Sequence, residues 1–390
     1  MEEVLMAKEK IIYVGPYSFP NGGAAARRIL GNCLSLRGAG YDVTITSGQM
    51  QNDCDVLEYE GFPVVSLNER CYEHYPALVK HLLYLGMGKK TVEWLDSLVD
   101  KPRAVILYSG YSPYLIHLLK WCKKNNVKLI FDAVEWYEPP SLMAKLFSPY
   151  HLNIALAMNY LSPKAKNIIA ISNYLEKYYL SKGCHTLNVP PTLDLQKLTP
   201  RLNGTDTNAL KLVYTGVPGK KDLLDVVIQA VVQLKQEGVL VELHLAGDCS
   251  FLVNKYSDFV DDCIFDHGFL SHSAALDLVS GADFSVLFRP DQRSSHAGFS
   301  TKFVESLSLG TPVIGNLTSD LSEHLIDGKT GMVCASADVN AVKEKIKEAA
   351  SLSQDQLIQM RTTSREHAEK HFDYRVYTNK FSFFIQKLMG

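Results

Sequence analysis

The stretch GFSTKFVES, residues 298–306, spaces a serine, a threonine and a glutamate in a way that suits an anionic, hydroxyl-bearing ligand. It follows a predicted strand at residues 283–288 and opens a helix with one apolar face. Free backbone N–H groups at a helix start bind phosphate, so Ser300 and Thr301 are candidate phosphate ligands. Glu305, one turn further on, is placed to accept hydrogen bonds from sugar hydroxyls. The alternative is an ordinary N-cap beside a surface glutamate.

A second helix entrance combines glycine with positive charge near the N-terminus. Gly22 and Gly23 lead into a predicted helix that begins near residue 24, and Arg27 and Arg28 follow. Cations in the first turns oppose the helix dipole by roughly 0.3 to 1 kcal/mol each, and a bound anion would relieve that cost. A tight turn with two solvated arginines fits the same residues.

A third entrance lies in the second half of the chain. Gly216 ends a predicted strand, and Lys220, Lys221 and Asp222 precede a predicted helix. Asp222 suits the N-cap of that helix. The lysine pair indicates a bound anion, such as a diphosphate, unless both side chains are simply solvated.

Short β-branched runs alternate with amphipathic stretches along the chain. The predicted strands are residues 10–15, 41–46, 103–108, 127–132, 167–172, 211–216, 239–247, 283–288 and 311–316. The predicted helices are residues 24–37, 113–124, 222–237, 273–280 and 301–309. This order predicts parallel sheets with right-handed crossovers, in which ligands bind at the carboxyl ends of strands. The Pro-, Thr- and Asn-rich stretch at residues 190–209 breaks the series and is predicted to be a linker.

Composition excludes several classes of protein. The 390 residues are 46% hydrophobic, enough for two cores, and the net charge of −2 argues against a nucleic-acid coat. Eight cysteines without a Cys-x-x-Cys pair favour reduced thiols in a cytoplasm. We expect no signal peptide, because residues 1–10 are charged, and no run reaches the roughly 18 apolar residues of a membrane span.

Residues 298–314 resemble the signature stretch of the family-4 retaining glycosyltransferases, the glycosyl transferases of group 1. The glycine loop at residues 21–25, the strand ends at 246–248 and 266–270, and the turn at 325–331 are similar to other segments of that family. The resemblance spans roughly residues 10–375 and is strongest in the C-terminal half. It implies a GT-B fold, a nucleotide-sugar donor held mainly by the C-terminal domain, and retention of anomeric configuration.

The resemblance also assigns roles to residues. It implies that Glu305 binds the donor ribose, that Lys221 faces the diphosphate, and that backbone groups of residues 299–301 cradle the distal phosphate. Phe269 and Leu270 fall where the base is usually bound. The predicted donor-binding residues are Gly22, Gly23, Gly216, Lys220, Lys221, Phe269, Leu270, Arg289, His296, Gly298, Phe299, Ser300, Thr301 and Glu305.

Two positions in the C-terminal half depart from the family pattern. Ala297 stands where a first glutamate usually contacts the donor sugar, and His296 or Asp291 is the candidate replacement. Residue 217 is valine rather than a phosphate-pairing arginine, and Arg289 or Arg293 is the candidate source of that charge.

The N-terminal half departs from the pattern at Val134, where the family often has a histidine near the reacting sugar. Asp132 and Glu135 are the remaining polar candidates at this strand end, either to orient the donor sugar or to accept a proton from the acceptor. A carboxylate pair also suits a glycosidase, but that reaction gives three anion sites no role. The alternative is that Asp132 caps the loop and Glu135 is exposed.

We therefore predict an α/β protein of the GT-B fold, with two Rossmann-like doubly wound domains facing across a cleft. Residues 1–195 form an acceptor-side domain, 196–209 a linker, 210–373 a nucleotide-sugar-binding domain, and 374–390 a helix that packs back on the N-terminal domain. The predicted catalytic residues are Asp132, Glu135, Lys221 and Arg293. No metal or other cofactor is expected, because the Asp-x-Asp sequence at residues 53–55 fits a polar loop.

The predicted function is transfer of a sugar from a nucleotide-diphosphate donor to a glycan or lipid-linked acceptor in cell-surface polysaccharide biosynthesis. The location is cytoplasmic, at the inner face of the membrane if residues 72–90 and 141–166 make peripheral contact with lipid. No nucleic-acid partner is expected. The alternatives are a nucleotide-sugar epimerase of the same fold and a degenerate sugar-nucleotide-binding protein.

Overall fold

A computed structural model describes residues 8–48, 57–69, 76, 79, 83–108, 110–139, 141–203, 209–218 and 221–389. The chain forms two compact units, one containing residues up to Leu193 together with those from Tyr374 onward, the other running from Asp194 to Asp373. The first unit is therefore discontinuous in sequence. Asp194 and Leu195 lie in the second unit, two residues earlier than the predicted N-terminal domain ends.

The first unit is built on one large sheet. Its described strands are β1 (Lys10–Val14), β2 (Asp42–Ser47), β3 (Leu57–Tyr59), β4 (Phe62–Ser66), β5 (Ala104–Tyr108), β6 (Lys128–Ala133), β7 (Asn167–Ala170) and β8 (His185–Asn188). They lie in the order β3-β4-β2-β1-β5-β6-β7-β8, and only β3 pairs antiparallel. Residues 11–14 of β1 are fully buried, because helices cover both faces of a parallel sheet.

Helices cover this first sheet. Those described are α1 (Ala24–Gly38), α2 (Lys89–Ser97), α3 (Ser112–Lys124), α4 (Leu142–Phe147), α5 (Pro149–Leu156), a π-helical turn (Ala157–Leu161), a 3₁₀ turn (Ser162–Ala165) and α6 (Asn173–Ser181). The C-terminal helix, α15 (Arg375–Met389), packs on α1, and its Phe381 and Ile385 share the core cluster with Ile29 and Cys33.

The second unit has a sheet of six parallel strands in the described part of the chain. They are β9 (Leu210–Thr215), β10 (Val241–Ala246), β11 (Ile264–Asp266), β12 (Phe284–Leu287), β13 (Val313–Gly315) and β14 (Gly331–Val333). The order β11-β10-β9-β12-β13-β14 is that of a doubly wound nucleotide-binding sheet. The winding reverses between β9 and β12, and such a switch point is where ligands bind.

The helices of the second unit follow the strands as crossovers. They are α7 (Leu224–Gln236), α8 (Ser250–Lys255), α9 (His272–Gly281), α10 (Arg293–Ala297), α11 (Thr301–Ser308), α12 (Leu321–His324), α13 (Val339–Ala350) and α14 (Gln354–His371). Two arginines of α14 fix the segment after the unit boundary. Arg361 Nε donates to the carbonyl of Arg201 at 2.8 Å, and Arg365 Nη2 to that of Leu195 at 2.9 Å.

Every predicted strand is present, with ends displaced by at most two residues. Five short strands, β3, β4, β8, β11 and β14, were not predicted, because three to five residues show no readable period. The loop at residues 53–55, most of residues 72–82, and Lys220 lie outside the described residues. No helix in the described ranges is long and apolar enough to cross a membrane.

Candidate functional site

Three strand ends of the second unit are joined by backbone hydrogen bonds at the carboxyl edge of the sheet. Gly216 N donates to Ala246 O at 2.6 Å, and Gly247 N donates to Gly268 O at 2.7 Å. Gly216 and Gly247 have φ of 109° and 125°, a region that L side chains rarely adopt. A Cβ on Gly247 would lie 2.5 Å from Gly216 O, so this approach requires glycine.

The N-terminus of α11 lies against the Gly216 turn. A Cβ on Gly216 would be 3.1 Å from Lys302 Cε, in the first turn of the helix. Ser300 occupies the N-cap and is only 3% exposed, and its hydroxyl is buried without a hydrogen-bond partner among the described residues. An unpaired buried hydroxyl costs about 1 to 3 kcal/mol, so this atom is poised for a ligand. Thr301 opens the helix, as predicted.

A cluster of charges backs this helix start. Asp222 accepts hydrogen bonds from Tyr214 Oη at 2.7 Å, from Lys302 Nζ at 2.5 Å and from Arg289 Nε at 3.1 Å. One carboxylate therefore faces two cations, which leaves one net positive charge beside the Gly216 turn. The prediction that Asp222 caps the next helix is wrong, because α7 begins at Leu224 and Leu223 is its N-cap.

Burial and pairing oppose each other in this cluster. Burial lowers the pKa of Lys302, although Asp222 acts to raise it. For Asp222, burial acts to raise the pKa, but Lys302 and Arg289 outweigh it and hold the pKa below its usual value. An anionic ligand beside Lys302 would stabilise the charged ammonium and share its charge.

The predicted cationic residues divide into different environments. Arg289 is mostly buried and directed at Asp222, and its backbone is held by Asn316, whose Oδ1 accepts from Arg289 N at 2.9 Å. Arg293 is half-buried at the first position of α10. Lys221 is exposed in the turn before α7. Lys302, which the sequence did not single out, is the cation placed closest to the Gly216 turn among these.

His296 and Asp291, the two candidate replacements at Ala297, are hydrogen-bonded to each other. His296 Nε2 lies 2.6 Å from Asp291 Oδ1, and Ser319 N donates to His296 Nδ1 at 3.3 Å. The second contact places the ring proton on Nε2, facing the carboxylate. Ala297 and Gly298 are buried, whereas the side chains of His296 and Asp291 are 36% and 89% exposed.

Glu305 lies beside the loop that carries the predicted base-binding residues. It is 6% exposed, and its Oε1 is 2.9 Å from Nε2 of His272, the first residue of α9. Phe269 is 79% exposed and Leu270 36% exposed, three and two residues before that histidine. The structure therefore brings together the predicted ribose and base positions, and His272 joins them.

Phe299 has a different placement from its neighbours. Its ring packs edge-on against Phe303, His324 and Phe372, inside the second unit. The side chain is thus part of the core, and its predicted role rests on its backbone alone.

The first unit holds a cavity of about 220 Å³ at the carboxyl ends of β1, β5 and β6. Besides Asp132, its polar lining consists of one glutamate and five tyrosines, namely Glu135, Tyr17, Tyr108, Tyr111, Tyr137 and Tyr150. Glu135 is exposed, and Tyr137 hydrogen-bonds to it. Burial, followed by the charge of Glu135, raises the pKa of both Tyr108 and Tyr137. Both hydroxyls are therefore neutral, and that of Tyr137 is hydrogen-bonded to the carboxylate of Glu135.

Asp132 lines the floor of this cavity but is not exposed. Arg28 Nη2 donates to it at 2.6 Å, and the Tyr13 hydroxyl donates to its other oxygen. Arg28 also donates to Val189 O at 2.8 Å. The prediction that Arg28 favours a bound anion at the helix entrance is wrong, because the carboxylate of Asp132 on β6 neutralises its charge. Asp132 is therefore held by Arg28 and Tyr13 and has no surface exposed to solvent.

The glycine entrance to α1 is open. Gly23 is the N-cap, with φ of 61° and no side-chain cap, and a Cβ there would meet nothing within 4 Å. A Cβ on Gly22 would lie 1.9 Å from Ser18 O. The space beside Gly23 is thus open at the start of α1, and half-buried Arg27 follows in the first turn of the helix.

Fold and site together define a class. Residues 209–351 match the family model described as glycosyl transferases group 1. The predicted resemblance to that group is confirmed, and so is the predicted GT-B fold. The matched residues lie within the second unit, between Asp194 and Asp373.

Individual relatives are more distant. The chain is 22% identical over 205 residues to the "Putative colanic acid biosynthesis glycosyltransferase WcaL" of Escherichia coli K12, covering 50% of each protein. A protein of the same name from Salmonella typhimurium matches over the same length. The chain spans about half the length of the curated relatives it matches.

Solved structures resemble nearly the whole chain. HepE (Alr3699) of Anabaena, in complex with UDP and glucose, aligns with a TM-score of 0.67 at 14% identity, over 97% of this chain and 100% of that one. Sucrose-phosphate synthase of Thermosynechococcus elongatus aligns with a TM-score of 0.71 at 16% identity, over 98% and 99%. At these identities the likeness shows the fold.

Proposed function

We propose that the protein is a glycosyltransferase that moves a sugar from a nucleoside-diphosphate donor to a glycan or lipid-linked acceptor. The observation that carries the proposal is the start of α11. There the buried Ser300 hydroxyl, which has no hydrogen-bond partner in the described part of the chain, and free helical N–H groups lie beside a cluster with net positive charge. A diphosphate fits these groups, because it supplies acceptor oxygens and negative charge together.

The rest of the donor fits around this seat. Glu305 is 33 residues from His272 in sequence yet within 2.9 Å of it, so a carboxylate and an imidazole meet next to exposed Phe269. Ribose hydroxyls would bind Glu305 in place of the imidazole, and a base would pack on the Phe269 loop. The UDP in the HepE structure supports testing a uridine nucleotide first.

Lys302 and the helix dipole would stabilise charge that develops on the leaving diphosphate. Lys302 and Arg289 would together neutralise the negative charge of the diphosphate, for which other enzymes use a metal ion. We therefore propose that transfer needs no divalent cation. Retention of anomeric configuration is proposed from the family resemblance alone. Lys221 and Arg293 remain predicted contributors at the edge of the same site.

The tyrosine-lined cavity of the first unit is the proposed acceptor site. Aromatic faces bind the apolar faces of sugar rings, and Glu135 is the carboxylate available to hydrogen-bond an acceptor hydroxyl. The cavity volume of about 220 Å³ suits roughly one sugar ring. Asp132 would have an indirect role, because it holds Arg28 and Tyr13 in place beneath the cavity.

Membrane contact is proposed through α4 and α5. Leu142, Met143, Leu146 and Phe147 are all more than half exposed, and Tyr160 is 66% exposed just beyond. Residues 141–166 contain three lysines and no acidic residue. An apolar surface with positive charge fits an anionic bilayer that presents a lipid-linked acceptor.

The function is tested by calorimetry and product analysis. We expect one nucleoside diphosphate to bind with EDTA present, and Glu305→Gln to weaken it while Glu344→Gln, on the exposed face of α13, does not. With the matching nucleotide sugar and a lipid-linked glycan acceptor, a glycosylated product of retained configuration is expected. Conversion of the donor sugar without an acceptor would overturn transfer in favour of epimerisation. Binding without any reaction would indicate a sugar-nucleotide-binding protein.

Membrane contact is tested by vesicle flotation. Phe147→Ser removes an apolar side chain from the proposed surface, and Phe383→Ser is its control, because both rings are 69% exposed. Burying a phenylalanine is worth about 1.5 to 3 kcal/mol, so the first variant should lose at least about tenfold in binding to anionic vesicles. Equal binding of both variants would remove this surface from the proposal.

A further inference from the structure

Three histidines of the second unit converge away from the residues assigned above. His324 ends α12, and His367 and His371 lie one turn apart in the last turns of α14. One ring nitrogen from each lies within 4.8 Å of the others, and no other such group of three metal-binding side chains occurs in the described residues. His324 Nδ1 and His367 Nε2 are already 3.0 Å apart.

The backbone sets this convergence. Residues four apart on a helix lie on one face, so the HAEKH sequence at residues 367–371 presents two imidazoles side by side. The third is held from outside α14, since Thr330 Oγ1 donates to His324 O at 2.6 Å and accepts from Ile326 N at 2.8 Å. Nitrogens bound tetrahedrally to zinc are about 3.4 Å apart, so small ring rotations would suffice.

The three rings differ in their exposure to solvent. His324 is buried beside the rings of Phe299 and Phe372, and His371 is exposed, which provides a route from solvent. Burial, with the neighbouring histidines, lowers the pKa of His324 to about 3 and that of His367 to about 4.

We propose that His324, His367 and His371 bind one borderline transition-metal ion of the Zn²⁺ class, with water at the remaining position. Three imidazoles without a carboxylate select this class over Mg²⁺ or Ca²⁺, which prefer oxygen. The ion would join the end of α12 to the end of α14. The Phe299 ring, which contacts His324, connects this site to the segment that leads into α11. The proposal does not depend on sugar transfer.

The test uses the full chain without a histidine tag, stripped with EDTA and dialysed. We expect calorimetry with Zn²⁺ alone to show one site per chain, Mg²⁺ to show none, and Cu²⁺ to give an electron-paramagnetic spectrum with nitrogen couplings. His371→Ala should weaken Zn²⁺ binding at least about tenfold, as should His367→Ala. His185→Ala, an exposed histidine of the first unit, should bind as the wild type does.

Exposed His371 can be replaced without disturbing the core, so a folded variant is expected for the comparison. If Zn²⁺ does not bind, or binds equally to the His371→Ala and His367→Ala variants, the cluster serves aromatic packing only and the proposal is wrong.

Discussion

Asp132→Asn separates a structural from a catalytic role for the carboxylate beneath the tyrosine-lined cavity. The change keeps the side-chain shape and removes the charge that faces Arg28, whose guanidinium is within 2.6 Å and nearly fully buried. Breaking a buried ion pair costs about 3 to 5 kcal/mol, because the remaining charge is left uncompensated. We expect the lower end, since the asparagine oxygen can still accept a hydrogen bond.

Fluorescence makes this prediction specific to the first unit. All three tryptophans, Trp94, Trp121 and Trp136, belong to it, so urea unfolding followed at these residues reports on that unit. With a loss of about 3 kcal/mol and a slope of about 2 to 3 kcal/mol per M, the midpoint should fall by about 1 to 1.5 M. Asp42→Asn, at an exposed position of β2, is the control and should stay within about 0.5 kcal/mol of the wild type.

A second variant completes the test. The double variant Arg28→Met/Asp132→Leu leaves neither charge of this ion pair buried. It should therefore lose less stability than the sum of the losses in the Arg28→Met and Asp132→Leu single variants. The reasoning is refuted if Asp132→Asn unfolds at the wild-type midpoint yet loses transfer activity, since the carboxylate would then act on substrate.

Three further outcomes are expected. Ser300→Ala should leave the free protein at least as stable as the wild type, by up to about 1 to 3 kcal/mol, because it removes an unpaired buried hydroxyl. The same change should weaken nucleoside-diphosphate binding about two- to tenfold in calorimetry, because the hydroxyl gains a partner with the ligand. Gly247→Ala should cost at least about 1 to 3 kcal/mol in thermal unfolding, because its Cβ would lie 2.5 Å from Gly216 O, whereas Gly281→Ala, with open space around it, should not. The lowered pKa of Asp222 contributes stability above its unfolded pKa of about 3.9 and loses it as pH falls through the folded value. Melts between about pH 5 and pH 2 should therefore show a shallower loss for Asp222→Asn.

The sequence predicted the fold well, because buried parallel strands leave a direct trace. Residues 11–14 are consecutive apolar or aromatic positions, and such a short run with β-branched residues, followed by Gly15 and Pro16, is typical of a strand covered on both faces. Edge strands such as β3, whose three residues are all exposed, carry no such trace. Their existence depends on pairing with a neighbour.

The site was predictable where it depends on local backbone, as at the N-cap residue Ser300. The site was not predictable where a side chain contacts a partner that is distant in the sequence. Lys302 turns toward Asp222, 80 residues away, and Arg28 toward Asp132, 104 residues away. Sequence spacing cannot show such pairings. His272 was missed for the same reason, because its partner Glu305 lies on another helix.

The first unit is formed by two separate stretches of the chain, and this has a consequence for its synthesis. Helix α15, which carries Phe381 and Ile385 into that core, follows 180 residues of the second unit in the chain. At about 5 to 20 residues per second, a ribosome needs roughly 10 to 40 s to make those residues. During that interval the nascent first unit exposes the apolar face of α1. The second unit can fold first, and this uncovered face is where a chaperone would bind the growing chain.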